Sequence, residues 1–200
     1  MNRSGAARPY RQTARAERQD RTRDALLDAA DTAFFLGQWE QISLTEMAAA
    51  ASVTKQTLLR HFGSKEGLLE QAAARGLQRV RDQRWSAPTR DLPGAVDNLL
   101  DHYEEVGERA MKIPAGNGGG AAMAEIGRGA RQLHYDWVEH AFGAWLNQRQ
   151  GKARARDRAA LIALCDVHTW WLLSHDLALP RPEVRATLIR AIGSLLEVDS

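Results

Sequence analysis

Cysteine is almost absent from this 200-residue chain, with Cys165 alone. A single thiol excludes an internal disulfide framework and suits a reducing compartment. Proline is sparse as well: there are six, and none falls between Pro9 and Pro88. No uncharged apolar run approaches the roughly 18–20 residues that span a bilayer. No apolar core follows the basic N-terminal residues, as a secretory signal requires. Nor does any segment alternate apolar and polar residues over a convincing strand length. Exported, membrane-spanning, disulfide-stapled and β-rich readings are set aside, and a cytoplasmic all-α protein is expected.

Apolar residues make up 44% of the chain and charged residues 26%, ordinary values for a folded globular protein. The net charge of +2 hides an asymmetry. Residues 1–23 hold seven arginines against Glu17 and Asp20, a net +5, whereas residues 24–66 hold three basic residues against six acidic ones, a net −3. The remaining positive charge of that region lies in one short segment, at Lys55, Arg60 and Lys65. A basic arm is a common footprint of nucleic-acid binding, and equally of a solvated tail with no partner. Residues 1–21 are expected to be such an arm, disordered.

Beyond the arm the apolar spacing is helical. A first helix is expected from near Thr22, with Leu26, Leu27, Ala30 and Phe34 on one face and Gly37 as its stop. Ser43-Leu44-Thr45-Glu46 has the pattern of a capping box, which opens a second helix reaching about Ala50. Thr54 caps a third, ending at Phe62-Gly63, and Ser64 caps a fourth that fades near Trp85. Two short helices joined by a tight turn, the second opening on polar and basic residues, form the geometry that puts a helix N-terminus into the DNA major groove. Ala48, Ser52, Val53 and Leu58 stand where a helix-turn-helix needs a small residue, a turn residue and two packing residues. Leu58 and Phe62 would then face the module's core. Lys55, Gln56, Leu59 and Arg60 would face outward toward base edges, lysine and arginine suiting guanine and glutamine suiting adenine. Thr57, His61 and Lys65 are placed for phosphates.

The run from Thr22 to Leu69, which supplies Phe34, Gly37, Trp39, Ser43, Met47, Ala48, Val53, Thr57, Leu58, Phe62, Ser64, Lys65 and Glu66 in order, resembles the DNA-binding domain of the tetracycline-repressor (TetR) family. The resemblance implies a homodimer of about nine helices per chain, whose N-terminal modules bind a palindromic operator. A larger C-terminal domain then pairs through its last two helices and binds an inducer. On this reading residues 22–67 are the helix-turn-helix domain and residues 68–200 the ligand-binding and dimerisation domain. The DNA-contacting set is Ser43, Thr45, Thr54, Lys55, Gln56, Thr57, Leu59, Arg60, His61 and Lys65. Three positions depart from the family pattern: Ser52 replaces a turn glycine, Gln56 an early glycine of the recognition helix, and Leu59 a tyrosine. Ser52 would carry strain in a left-handed backbone, and the operator is not transferable from relatives.

The C-terminal stretch reads as further helices. One is expected after Pro93. The glycine-rich run at 114–120 is a break, followed by a short helical piece at Ala121 to Gly127 and a longer helix beyond it. The next helix is expected from about Ala153 to Leu179 and is apolar on two faces, so a partner subunit is the economical cover for one of them. A last helix follows Pro182. Tyr103, Met111, Met123, His134, Trp137, Trp145 and Trp170 are the candidates to line a pocket for a small apolar or aromatic inducer.

An enzyme is not expected. The glycine-rich run lacks a preceding strand and a following Gly-Lys-Ser/Thr, so it is no phosphate cradle. His134, Asp136, Glu139 and His140 scatter around a helix, so no metal site is expected. Cys165 has no basic neighbour in sequence to activate it, and no cofactor is indicated. The sequence predicts a cytoplasmic homodimeric regulator, most simply a repressor released by an inducer. The alternative is a helical ligand-binding or interaction protein that has lost specific DNA binding.

Overall fold

The computed structural model describes residues 7–36, 38–111 and 120–197, and the side chains of residues 7–15, 35 and 120–123 fall outside that description. Among the described residues the fold is all-α, with nine α-helices and no strand. In chain order they are α1 (Ala7–Phe35), α2 (Leu44–Ala50), α3 (Lys55–Phe62), α4 (Lys65–Arg84), α5 (Leu92–Ala110), α6 (Gly120–Leu146), α7 (Gly151–Leu164), α8 (Val167–Trp171) and α9 (Arg181–Leu196). A single π-helical turn, Leu172–Asp176, follows α8. Two compact units divide the chain, residues 1–76 and residues 77–200, so the boundary lies inside α4, beyond the expected residue 67.

The first unit begins with a correction. Helix α1 starts at Ala7, well ahead of Thr22, so residues 7–21 belong to a helix instead of a disordered arm. Pro9 lies in the first turn, where its missing N–H has no intrahelical partner to lose. Beyond it the run of arginine, glutamine, alanine and glutamate consists of good helix formers. Glu17 and Arg21, four apart, approach to 4.0 Å on the helix surface. Gly37, the expected stop, lies outside the described residues. The core of this unit is built from Leu26, Leu27 and Ala30 of α1, Met47 and Ala48 of α2, Leu58 and Phe62 of α3, and Leu68, Leu69 and Ala72 of α4, all buried.

The second unit packs around Val96, Leu99, Leu100 and Tyr103 of α5, Trp137, Val138, Phe142 and Leu146 of α6, Leu161 of α7, Trp170 of α8, and Val184, Leu188 and Ile192 of α9. Two expectations are corrected here. The short piece at Ala121 to Gly127 is not separate, because α6 runs unbroken from Gly120 to Leu146. Gly129 inside it brings the backbone close to Leu77, whose Cδ1 would lie 3.1 Å from an added Cβ. The helix expected from Ala153 to Leu179 is in turn broken at Cys165. The Asp166 carboxylate accepts the His168 N–H at 2.9 Å and restarts the helix. The Thr169 hydroxyl donates back to the Ala163 carbonyl at 2.6 Å, and the Tyr103 hydroxyl donates to the Cys165 carbonyl at 2.8 Å. Backbone groups freed by the break are thus satisfied by side chains, a signal apolar periodicity does not carry.

Candidate nucleic-acid interface

Local hydrogen bonds set the geometry of α2 and α3. The capping box forms as the spacing predicts: the Glu46 N–H donates to the Ser43 hydroxyl at 3.2 Å, and the Ser43 N–H donates to the Glu46 carboxylate at 2.8 Å. That backbone bond, with the Ser43 side chain second, holds the Glu46 carboxyl below its ordinary range. In the turn, the Val53 N–H reaches the Ala48 carbonyl at 2.9 Å. Ser52 adopts φ +56, the left-handed conformation that glycine takes freely and serine does not. Thr54 then caps α3, its hydroxyl accepting the Thr57 N–H at 3.2 Å. Gly63 ends the helix at φ +75, donating to the Leu59 carbonyl at 2.8 Å.

Two faces of α3 result. Leu58 is fully buried and Phe62 nearly so, while Lys55, Gln56 and Arg60 are exposed and Leu59 is half-buried. Ser43, Thr45 and Thr54 are exposed as well. Thr57 is half-buried and its hydroxyl lies 3.0 Å from that of Thr54. The half-buried His61 keeps a buried Nε2 with no partner. The Lys65 ammonium stands 5.1 Å from the centre of the Trp39 ring and donates to the Glu40 carbonyl at 3.5 Å. All ten residues of the expected DNA-contacting set therefore fall within α2, α3, their caps and the first residue of α4. Sequence reasoning missed Arg23, whose guanidinium lies 5.3 Å from the Phe62 ring centre and donates to Gln71. It also missed Arg75, which reaches three carboxylates of α1.

Of the seven pocket candidates, Tyr103, Trp137 and Trp170 share one core cluster of the second unit. Trp137 is fully buried and donates its indole N–H to the Arg84 carbonyl at 3.0 Å. Tyr103 and Trp170 are buried with ring centres 5.6 Å apart. His134 is half-buried, its Nε2 2.9 Å from the Ile162 carbonyl. Trp145 is half-buried against Phe142, and Met111 is the half-buried C-cap of α5. The side chain of Met123 lies outside the described residues. Other polar residues considered from sequence have structural partners. Glu139 accepts from Arg154 at 2.8 Å and Arg158 at 2.6 Å, and His140 stacks on Trp85. Cys165 is buried, and burial pushes its thiol up to about 12. Among the described residues no group of three His, Cys, Asp or Glu side chains is placed to hold a metal ion, and no helix is long and apolar enough to cross a membrane.

Residues 26–72, the span just described, match the sequence profile of bacterial regulatory proteins of the tetR family. The HTH-type transcriptional regulator AlkX of Mycobacterium tuberculosis is 35% identical over 74 residues, 37% of this chain. That match spans only 33% of the length of the curated relative. A transcriptional regulator from Rhodococcus sp. Rha1 shares the fold at a TM-score of 0.62 and 18% identity, over 90% of this chain and 96% of that one. AibR, solved in complex with isovaleryl coenzyme A and operator DNA, shares it at 0.54 and 20% identity, over 90% and 100%. With the capped α2, the tight turn and α3 inside the matched span, residues 26–72 are similar to the TetR family of bacterial regulatory proteins.

Proposed function

We propose that the protein is a sequence-specific DNA-binding transcription regulator, acting in the cytoplasm as a homodimer on a palindromic operator. One observation carries the reading: α3 buries Leu58 and Phe62 and leaves Lys55, Gln56 and Arg60 exposed beside its Thr54-capped N-terminus. A helix N-terminus with exposed basic and amide side chains suits the major groove, where Lys55 and Arg60 would read guanine and Gln56 adenine. Two copies related by a two-fold axis would read half-sites about one helical turn apart. Pairing through the last two helices would cover Leu172 and Leu177, which are 49% and 56% exposed in the single chain.

Repression with release by a small molecule is the regulatory mode we favour. The aromatic-rich second unit supports it, and the fold neighbour AibR was solved with both an acyl coenzyme A and operator DNA. Release requires only that the ligand bind more tightly to the conformation unsuited to the operator. The test is selection of binding fragments from the source genome, titrated at two salt concentrations. Recovery of one palindromic site, lost in the Lys55→Ala/Arg60→Ala double variant, supports the reading. Weak, sequence-blind binding unaffected by those changes overturns it in favour of a helical ligand-binding or interaction protein.

A further inference from the structure

Arg84, at the end of α4, is 2% exposed, one of the largest fully enclosed side chains of the protein. Its guanidinium carbon lies 4.0 Å from the Trp137 ring centre and 5.6 Å from that of Tyr103. Aromatic faces attract a cation, and the Tyr103 side chain also hydrogen-bonds Arg84, yet neither neutralises its charge. Nε and Nη2 are both buried and without a hydrogen-bond partner. Among the described residues no carboxylate makes an ion pair with it. Asp166, whose charge is felt at Tyr103 and His134, is engaged by the backbone N–H and Nδ1 of His168 at 2.9 and 2.6 Å. Outside the described residues and side chains the only acidic residue in the sequence is Asp199. A buried, unpaired charge is strongly unfavourable, so such a group is expected to meet an anion.

The unbonded edge of the guanidinium specifies the anion. Nε and Nη2 together form the edge that grips both oxygens of a carboxylate in two parallel hydrogen bonds. Two histidines stand near in the same core. Burial first, then the charges of Arg84 and His134, push His102 down to about 3. Burial, aided by Arg84, also lowers His134 although the Ile162 carbonyl opposes it. Both are neutral at pH 7, which leaves one positive charge and calls for a monoanion. The walls are the faces of Trp137 and Tyr103, with Trp170 against the latter.

We infer that Arg84 is the anchor of a binding site in the second unit for a small apolar carboxylic acid, whose carboxylate is gripped by Nε and Nη2 while its body packs on the surrounding aromatic side chains. This deepens the proposed function, since it names the chemical class of the effector. It does not depend on the DNA reading, because binding of the acid is measured without DNA.

The experiment uses the full chain and a panel of straight-chain acids from butanoate to dodecanoate, with benzoate and phenylacetate, each paired with its primary amide. Calorimetry and thermal unfolding report binding. At least one acid should bind more tightly than its amide, with affinity rising with apolar size, and sodium chloride at equal ionic strength should not reproduce the effect. Arg84→Met should weaken that acid by about 100-fold, the loss of two charge-assisted hydrogen bonds. It should leave the amide within about twofold, and the ligand-free variant should unfold no earlier than the wild type because an unpaired buried charge is gone. Arg84→Lys keeps the charge without the paired edge, so it should fold and still lose about tenfold, a readout that survives if the methionine variant fails to fold. Asp199→Asn should change nothing. The proposal is overturned if every acid binds no better than its amide or chloride, or if Arg84→Met lowers the unfolding temperature and leaves acid binding intact. It is likewise overturned if Asp199→Asn destabilises the ligand-free protein, which would identify an internal counterion. Failure of DNA selection alongside an Arg84-dependent acid site would reject the regulator and retain the ligand.

Discussion

The Arg75 guanidinium on α4 lies 2.8 Å from the Asp31 carboxylate on α1, tying the two helices together through residues 44 apart in sequence. The same side chain reaches Asp28 at 2.7 Å and Asp24 at 3.9 Å. Burial would lower the Arg75 pKa, but its bonds to Asp31 and Asp28 outweigh that and raise it. The acidic face of α1 is thereby partly neutralised within the first unit.

Replacing Arg75 by alanine leaves three carboxylates on adjacent turns repelling one another. Asp28 and Asp24 are mostly exposed, so solvent screens much of the loss, and destabilisation of about 1–2 kcal/mol is expected. Urea unfolding of Arg75→Ala, Asp31→Ala and the double variant would measure it. The double variant should recover part of the loss, and full additivity would show that the pair is uncoupled.

Ser52 occupies a left-handed backbone at φ +56 inside the turn between α2 and α3. A residue with a Cβ is disfavoured there by about 1–2 kcal/mol, and glycine gives back part of that gain in unfolded-state entropy. Ser52→Gly should therefore stabilise the protein by about 0.5–1 kcal/mol, read as a higher unfolding temperature. Affinity for a selected operator should stay unchanged, since the turn already has the glycine-like shape. A lower unfolding temperature would mean that the Ser52 side chain contributes more than its backbone strain removes.

These contrasts explain what was legible in the sequence. The caps at Ser43 and Thr54 and the alternation of Leu58 and Phe62 with Lys55, Gln56 and Arg60 act over three or four residues, so spacing alone exposes them. The Arg75–Asp31 bond does not, because it depends on which helices meet. Arg84 stands in the last turn of α4, where a basic residue reads as a solvated helix end. Only the packing of Trp137 and Tyr103 around it shows otherwise. Arginines before Thr22 read as a charged tail although the same residues favour a helix, and the structure follows propensity over charge. At Asp166 apolar periodicity runs on through a break that side-chain caps create.

His102 provides a pH signature of the second unit. Its folded pKa is lowered to about 3, first by burial and then by Arg84 and His134. An unfolded chain takes up a proton near pH 6.5 that the folded chain refuses. Its contribution is thus complete above about pH 6.5 and declines as the pH falls toward the folded value, at about 1.4 kcal/mol per pH unit for one such residue. His134, also lowered by burial, acts in the same direction. Unfolding at about pH 7, 6 and 5 should show falling stability with a flatter slope in His102→Asn. An equal slope in the variant would place the dependence elsewhere.

Phosphate affinity should come in large part from the basic N-terminal residues. Asp24 and Asp28 remain largely exposed, so α1 would repel DNA from that end without compensation by the seven arginines of residues 1–23. Deleting residues 1–15 removes Arg3, Arg8, Arg11 and Arg15 and leaves the buried stripe from Leu26 onward intact. Every phosphate that the deletion leaves without its arginine should reduce the slope of log affinity against log salt by about 0.9. Binding should weaken alike on operator and random DNA, because phosphate contacts carry no sequence information. Lys55→Ala should behave differently, weakening the operator more than random DNA, since a base contact distinguishes sequences. Titrations of both variants on both DNAs at several salt concentrations separate the two roles. An unchanged slope after the deletion would show that Arg3, Arg8, Arg11 and Arg15 have no part in phosphate binding and leave those contacts to the rest of the first unit.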